Sequence, residues 1–463
     1  MKKQFIKYTL TAALLAGCVL PFTSMAQSSD KEFYLRPSYW NPYDQRGLNL
    51  FETSKIPDSI PFEGPRMRIG AGFTQQFQNI KHENTALNNS GTTPANSGAN
   101  KLYPVKPGFM TAQANLFLDV QLADGIRLNV TNYMSSRHHN EFWVKGGYIQ
   151  FDKLPFKGKF WGDLMEIATI KVGHTEVNYG DAHFRRPDGG QTILSPFMEG
   201  NIVDAFATEI GGEIILQKKG FFGVISMTNG MIKGHIDTTT PGQVGTEIID
   251  ANVKRNPSFI VKGGYDKTFA PRTRARISGS LYHNSSNAGS GLTLYSGDRT
   301  GSNYQNIMET WASNGAAKAS TSLFSSGRFN PGFSKKITAI MLNGFAKYQG
   351  LELFGTFETA NGRTKIERED RNMTQLAGEV IYRFAANEQL YVGARYNTVS
   401  SELVGYTEKV KINRTSLAAG WFVTKNVLMK AEYVMQDYNN FKNTDFRNGG
   451  KFKGYVVEAV VGF

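Results

Sequence analysis

The chain has 463 residues, a formal charge of +13 and a mean hydropathy of -0.35. Past the N-terminal stretch it holds no run of about 20 apolar residues, which excludes a membrane-spanning helix. A barrel strand is not excluded, because about ten residues with alternate positions apolar suffice for one.

Lys2, Lys3 and Lys7 precede the apolar run from Tyr8 to Phe22, and Ser24-Met25-Ala26 is a small-x-small cleavage signal, so residues 1–26 read as a secretory signal peptide. Leu15-Ala16-Gly17-Cys18 offers a rival lipobox reading, but the run continues through Val19-Leu20-Pro21-Phe22, where a polar segment normally follows a lipidated cysteine. Cleavage after Ala26 removes the only cysteine and three lysines, taking the charge from +13 to +10. A basic mature chain favours anion entry or contact with anionic lipopolysaccharide, and nucleic acid is a poor partner for an exported protein. Residues 27–66 carry Tyr34, Tyr39, Trp40, Tyr43 and Phe51 without strand periodicity. They are expected to form a periplasmic or lumen-docked extension, since exposed aromatics cost solubility.

Residues 67–463 are expected to form an all-β transmembrane antiparallel up-and-down barrel. The clearest hairpin lies between Phe109 and Met134, with Ala112, Ala114, Leu116, Leu118, Val120 and Leu122 on one face and Thr111, Gln113, Asn115, Asp119 and Gln121 on the other. Phe117 interrupts the polar face. Short connections (Ala123–Gly125, Lys218–Gly220, Thr268–Arg272, Gln349-Gly350, Ala385–Asn387, Thr424–Asn426, and the longer Asp152–Glu166) alternate with polar loops rich in Gly, Ser and Asn. Seven turns and eight loops imply about sixteen strands, with long extracellular loops and short periplasmic turns. Their expected starts are Met67, Phe109, Ile126, Phe142, Ala168, Val203, Phe221, Ser258, Thr273, Ile337, Leu351, Asn372, Glu388, Lys409, Val427 and Phe452. Tyr148, Tyr265, Tyr348, Tyr382, Trp421 and Tyr433 are assigned to aromatic girdles. In the last strand Tyr455, Val457, Ala459, Val461 and Phe463 are expected to face lipid.

Val392-Gly393-Ala394-Arg395-Tyr396, Arg414 to Trp421 and Leu428-Met429-Lys430-Ala431-Glu432-Tyr433 resemble the anion- or phosphate-selective family of sixteen-stranded bacterial outer-membrane porins. The terminal Phe463 after alternating apolar residues resembles the signal read by the outer-membrane insertion machinery. The resemblance implies the outer membrane, a homotrimer, and a third loop folded into the lumen, here Gly180 to Ile202. That loop carries His183, Arg185, Arg186 and Asp188, with Asp181 and Glu199. Its paired arginines and three acids differ from the lysines of phosphate-selective members, which argues against specific phosphate selectivity.

Lumen positions hold Arg127, Lys171, Arg274, Arg276, Arg383, Arg395, Arg414 and Lys430 against Asp119, Glu209, Glu213, Glu352, Glu358, Glu379, Glu432 and Glu458. Pore constriction and solute contact are assigned to Arg185, Arg186, Asp188, His183, Arg127, Arg274, Arg276, Arg395, Arg414, Glu352 and Glu358, because opposed charges in a water-filled pore orient polar solutes. The bland reading is that such charges pair across strands and stiffen the wall. No nucleophile elbow, zinc signature or phosphate loop occurs at useful spacing, so no catalytic residue, metal or cofactor is expected. His138-His139, with His174 or His183, makes a poor metal site because adjacent residues of an extended chain point apart. The function expected is passive diffusion of small hydrophilic solutes with weak anion preference. A non-conducting barrel in an envelope or secretion complex and an outer-membrane hydrolase are the alternatives.

Overall fold

The structure is a computed structural model that describes residues 40–56, 61–87, 100–135, 142–230, 240–287, 294–298, 300–310 and 326–463. The expected signal peptide, Cys18 and His138-His139 lie outside the described residues. The chain divides into Met1–Ser38 with Pro57–Pro61, of which only Pro61 is described, and Tyr39–Ile56 with Phe62–Phe463. The second unit is treated below.

Sixteen strands close into an antiparallel barrel. They are β1 (Arg66–Glu83), β2 (Gln113–Ala123), β3 (Ile126–Ser135), β4 (Trp143–Phe151), β5 (Ala168–Glu176), β6 (Thr208–Lys218), β7 (Phe221–Thr228) and β8 (Ser258–Ala270). They continue with β9 (Thr273–Asn284), β10 (Lys336–Tyr348), β11 (Leu351–Arg363), β12 (Arg371–Phe384), β13 (Leu390–Ser401), β14 (Val410–Thr424), β15 (Val427–Asn439) and β16 (Lys451–Gly462). Neighbours in sequence are neighbours in the sheet, and β16 returns to β1 in the register Gly72↔Gly462 to Glu83↔Lys451. Every strand therefore has two partners and no hydrogen-bonding edge meets lipid, as a bilayer demands. Gly108–Phe109 pairs with β1 ahead of β2, and a separate hairpin of Gly242–Val244 with Glu247–Asp250 lies in the loop between β7 and β8.

The two-residue period sorts the side chains. Along β12 the inward residues are Met373, Gln375, Ala377, Glu379, Ile381 and Arg383, all buried, while Leu376, Val380, Tyr382 and Phe384 are exposed on the outer wall. In β16 Val456, Glu458 and Val460 are buried, and Tyr455 and Val457 are exposed outward with Phe463 just beyond the strand. Strand starts match the periodicity within a few residues; β6 differs most, beginning at Thr208 rather than Val203. Ile202 and Val203 are instead donors from a loop inside the barrel, to Asn397 Oδ1 (2.6 Å) and Gln375 Oε1 (2.9 Å). Tyr148 corrects the girdle assignment: it lines the lumen, with Lys171 Nζ 5.4 Å from its ring centre.

Leu342 lies in the middle of β10 on the outer wall. Leu342→Arg should remove about 2–4 kcal/mol of folding free energy in urea titrations of the vesicle-embedded protein, because a charge at mid-membrane has no water. Arginine at Ser416, on the lumen face of β14, would meet packing limits but no lipid, so the two positions should separate the lipid cost from crowding.

Candidate functional site: an occupied lumen

Among the described residues, three stretches of chain enter the barrel interior. Residues 40–56 cross its short-turn mouth, where Gln45 N donates to Lys425 O (2.9 Å) and Lys55 Nζ to Ala168 O (2.9 Å). Residues 177–207, between β5 and β6, enter the lumen, and residues 294–298, 300–310 and 326–335, between β9 and β10, pack beside them.

The N-terminal stretch explains the interruption in β2. Tyr43 stacks on Phe117 with ring centres 3.9 Å apart and planes 11° from parallel, and its hydroxyl donates to Asp119 Oδ2 at 2.9 Å. An inward aromatic that would be misplaced in a water-filled pore is here the platform for a plug. Further along, Phe51 packs edge-on to Phe345 (5.6 Å), Asn49 Nδ2 donates to Glu352 Oε1 (2.8 Å), and Glu52 binds Lys262 (2.9 Å) and Arg276 (2.7 Å). Burial raises the Glu52 carboxyl, but Lys262 and Arg276 outweigh it and hold the group below its usual range.

The β5–β6 loop is fixed by the wall charges. Asp181 accepts from Lys262 (2.8 Å), Arg276 (2.8 Å) and Ser278 (2.7 Å). Arg185 contacts Asn49 and lies 3.4 Å from Glu379, while Arg186 clamps Asp204 bidentately at 3.0 and 2.5 Å. Asp188 binds Lys145 and accepts from Asn115 (2.7 Å), and Lys145 also binds Asp298 of the β9–β10 loop. Burial and the adjacent Asp298 push the Asp188 carboxyl up despite Lys145. At Asp298 burial acts the same way, but Lys145 and Arg186 prevail and the group is lowered. His183 contacts Asn178 (3.1 Å) and Glu176 (3.3 Å).

Wall residues also complete the loop backbone. Arg395 binds Glu379 (2.8 Å) and donates to Glu199 O (2.6 Å); Arg414 donates to Gly200 O (2.9 Å) and Gly327 O (2.6 Å). Lys430 binds Glu458 (2.9 Å) and Thr192 O (3.0 Å), and Met198 N donates to Glu432 Oε2 (2.8 Å). Glu352 binds Arg383 (2.9 Å), and Glu358 accepts from Tyr295 (2.7 Å) and Tyr179 (3.1 Å). Arg274 and Arg276 share Asp266, at 2.6 and 3.1 Å. Arg185 and Arg395 border a void of about 20 Å³, room for about one water. These side chains bind the protein's own chain.

Free space survives on one side. A cavity of about 310 Å³ lies among β2–β6, the N-terminal plug and the β5–β6 loop. Arg127 (β3), Lys145 (β4) and Lys171 (β5) line it from three consecutive strands, flanked by Asp119 on β2 and Glu213 on β6. Arg127 meets Gln150 (2.7 Å) and Asp119 (3.8 Å), and Lys171 meets Glu213 (3.4 Å). Of the residues assigned to solute contact, Arg127, His183, Arg186 and Asp188 reach this cavity, and the others assigned do not line it. Lys145 and Glu52 are not among the residues the sequence singles out, and Tyr43 is singled out only as an aromatic of the expected N-terminal extension. Phe117 was the signal for Tyr43; nothing local marked the other two.

No protein-family model and no curated protein matches the sequence. Among solved structures, the chain is similar to an anion-selective porin from Comamonas acidovorans at 10% identity and a TM-score of 0.50, covering 86% of this chain and 100% of that one. It is also similar to the outer membrane channel DcaP of Acinetobacter baumannii, at 10% identity and a TM-score of 0.49 over 86% of this chain and 98% of that one. OmpT, an outer membrane protein of Vibrio cholerae, matches at 9% identity and a TM-score of 0.47 over 87% and 99%. The likeness to the first is one of fold, the barrel of a sixteen-stranded outer-membrane porin.

Glu52 supplies a pH test of the plug. Its folded pKa is lowered, so its stabilising contribution is full above the ordinary value of 4.5 and is lost as pH falls through the lowered one. A spin label on Leu48→Cys should stay immobilised through the pH range in which an ordinary glutamate protonates and gain mobility only at more acidic pH, where the lowered Glu52 carboxyl takes up its proton. Glu52→Gln should make the label mobile at neutral pH and abolish the acid transition.

Proposed function

We propose that this chain is an outer-membrane channel of the porin type, passing small hydrophilic solutes by diffusion through the sector walled by β2–β6. The observation that carries the reading is the cavity of about 310 Å³ beside the chain inserted into the lumen. Its wall presents Arg127, Lys145 and Lys171 side by side, with Asp119 and Glu213 on the flanking strands and Asp188 on the inserted loop, which supports a weak anion preference. Every one of these cations already has a carboxylate partner, so the field at the centre is small. A homotrimer in contact with lipid and lipopolysaccharide fits the barrel's exposed apolar wall and the basic charge of the chain.

The plug favours a second reading, a barrel that conducts little and serves an envelope complex. Planar-bilayer recordings separate the two. The intact protein should open small channels, and Tyr43→Ala combined with Glu52→Gln should raise the unit conductance severalfold by loosening residues 40–56. Folded barrels that never open, with or without those substitutions, would overturn the channel reading.

Selectivity has its own test. Lys171→Gln leaves Glu213 uncompensated beside the route and should move the reversal potential in a chloride gradient toward cations. An unchanged potential would remove the β3–β5 cation row from the mechanism.

A further inference from the structure

Six of the seven connections at the short-turn end are tight, and one is not. Between β4 and β5 the chain leaves the barrel over residues 152–167 and forms a short helix, α1 (Lys159–Met165). Met165 is buried at its base, and beyond it the segment turns three aromatic side chains outward: Phe156 is 56% exposed, Phe160 68% and Trp161 36%. They form one cluster, with Trp161 5.1 Å from both Phe156 and Phe160. Lys153, Lys157 and Lys159, all exposed, flank these aromatics in sequence, with the exposed acids Asp163 and Glu166 following Trp161, and Lys153 is held by Asp124 of the neighbouring turn at 2.6 Å. A tight turn would join these strands, so the excursion is not needed for closure. Three clustered aromatics are costly to leave in water.

We propose that residues 153–161 are an interfacial anchor whose occupant is the phospholipid leaflet at the short-turn face of the membrane. Two observations select lipid. The segment joins β4 and β5, whose outer walls carry the exposed Ile149 and Val172, so its apolar cluster adjoins in the chain the two strands whose outer faces meet acyl chains. Its lysines match anionic head-group phosphates, and aromatic rings with lysine neighbours are the composition of an interfacial segment. Phe156, Phe160 and Trp161 enter the boundary between head groups and acyl chains, and Lys157 and Lys159 stay at phosphate level. The anchor fixes the depth of the sector that encloses the cavity, which lies inside the same two strands. It requires only that the barrel spans a membrane and stands whether or not the barrel conducts.

The test uses the full-length barrel in vesicles of phosphatidylethanolamine and phosphatidylglycerol, a fraction of them brominated on the acyl chain near the head group. Trp161→Phe serves as the subtraction that isolates the Trp161 signal. Trp161 emission should be quenched by the brominated lipid and protected from aqueous iodide. Phe156→Ser with Phe160→Ser should restore iodide access while the barrel keeps its folded mobility on unheated gels. Trp161 quenched by iodide but not by brominated lipid in the unmodified chain would overturn the proposal. Protection from both quenchers would also overturn it, because a second copy of the chain would then cover the cluster.

Discussion

The whole interior depends on pairing between inward strand charges and the chain inserted among them. Closing a sheet of period two leaves half of each strand facing inward, and here that half is studded with arginine, lysine and glutamate. Such groups need water or partners, because an uncompensated buried charge costs several kcal/mol. In this barrel most of them have partners. Loop backbone, which would itself be unsatisfied away from water, supplies acceptors to Arg395, Arg414 and Lys430 and donors to Glu432, Gln375 and Asn397. The wall makes the loop possible, and the loop neutralises the wall.

That reciprocity divides the lumen into two regions. From β9 to β16 the inserted segments bring apolar side chains as well as polar backbone, and Phe197, Met198, Ile202 and Tyr304 are as buried as a globular core. From β2 to β6 the packing is incomplete. Gly146 and Gly147 of β4 line the cavity and supply no side chain to fill it. The N-terminal plug borders the same space through Tyr43 and Glu52, so the segment that stabilises the mouth also sets the free volume beside it.

The barrel was readable in the sequence because its determinants are local. Alternation, turn residues and loop lengths each act over about ten residues, and together they yielded sixteen strands. The inward direction of Arg127, Arg276 and Arg414 follows from the same period. What those residues bind does not, since their partners come from segments far away in the chain: Asp181 for Arg276, Gly200 and Gly327 for Arg414. Arg185 and Arg186 show the limit most clearly. A guanidinium pair in a lumen loop suits an anion, yet Asp204 and Glu379 already occupy the positions an anion would take. Lys145 was overlooked because β4 is short and interrupted by Gly146-Gly147, which blurs its alternation.

The central claim is that solute-accessible volume is confined to the β2–β6 sector while the β14 side is sealed by the protein's own chain. Cysteine accessibility measures it directly, using a chain with its one natural cysteine, Cys18, absent. Thr175 borders the cavity, and Ser416 on β14 is buried beneath the inserted segments. With a small charged methanethiosulfonate reagent added to vesicle-embedded protein, Thr175→Cys should react at least tenfold faster than Ser416→Cys. Equal and rapid modification at both positions would contradict the account and restore an open, water-filled lumen.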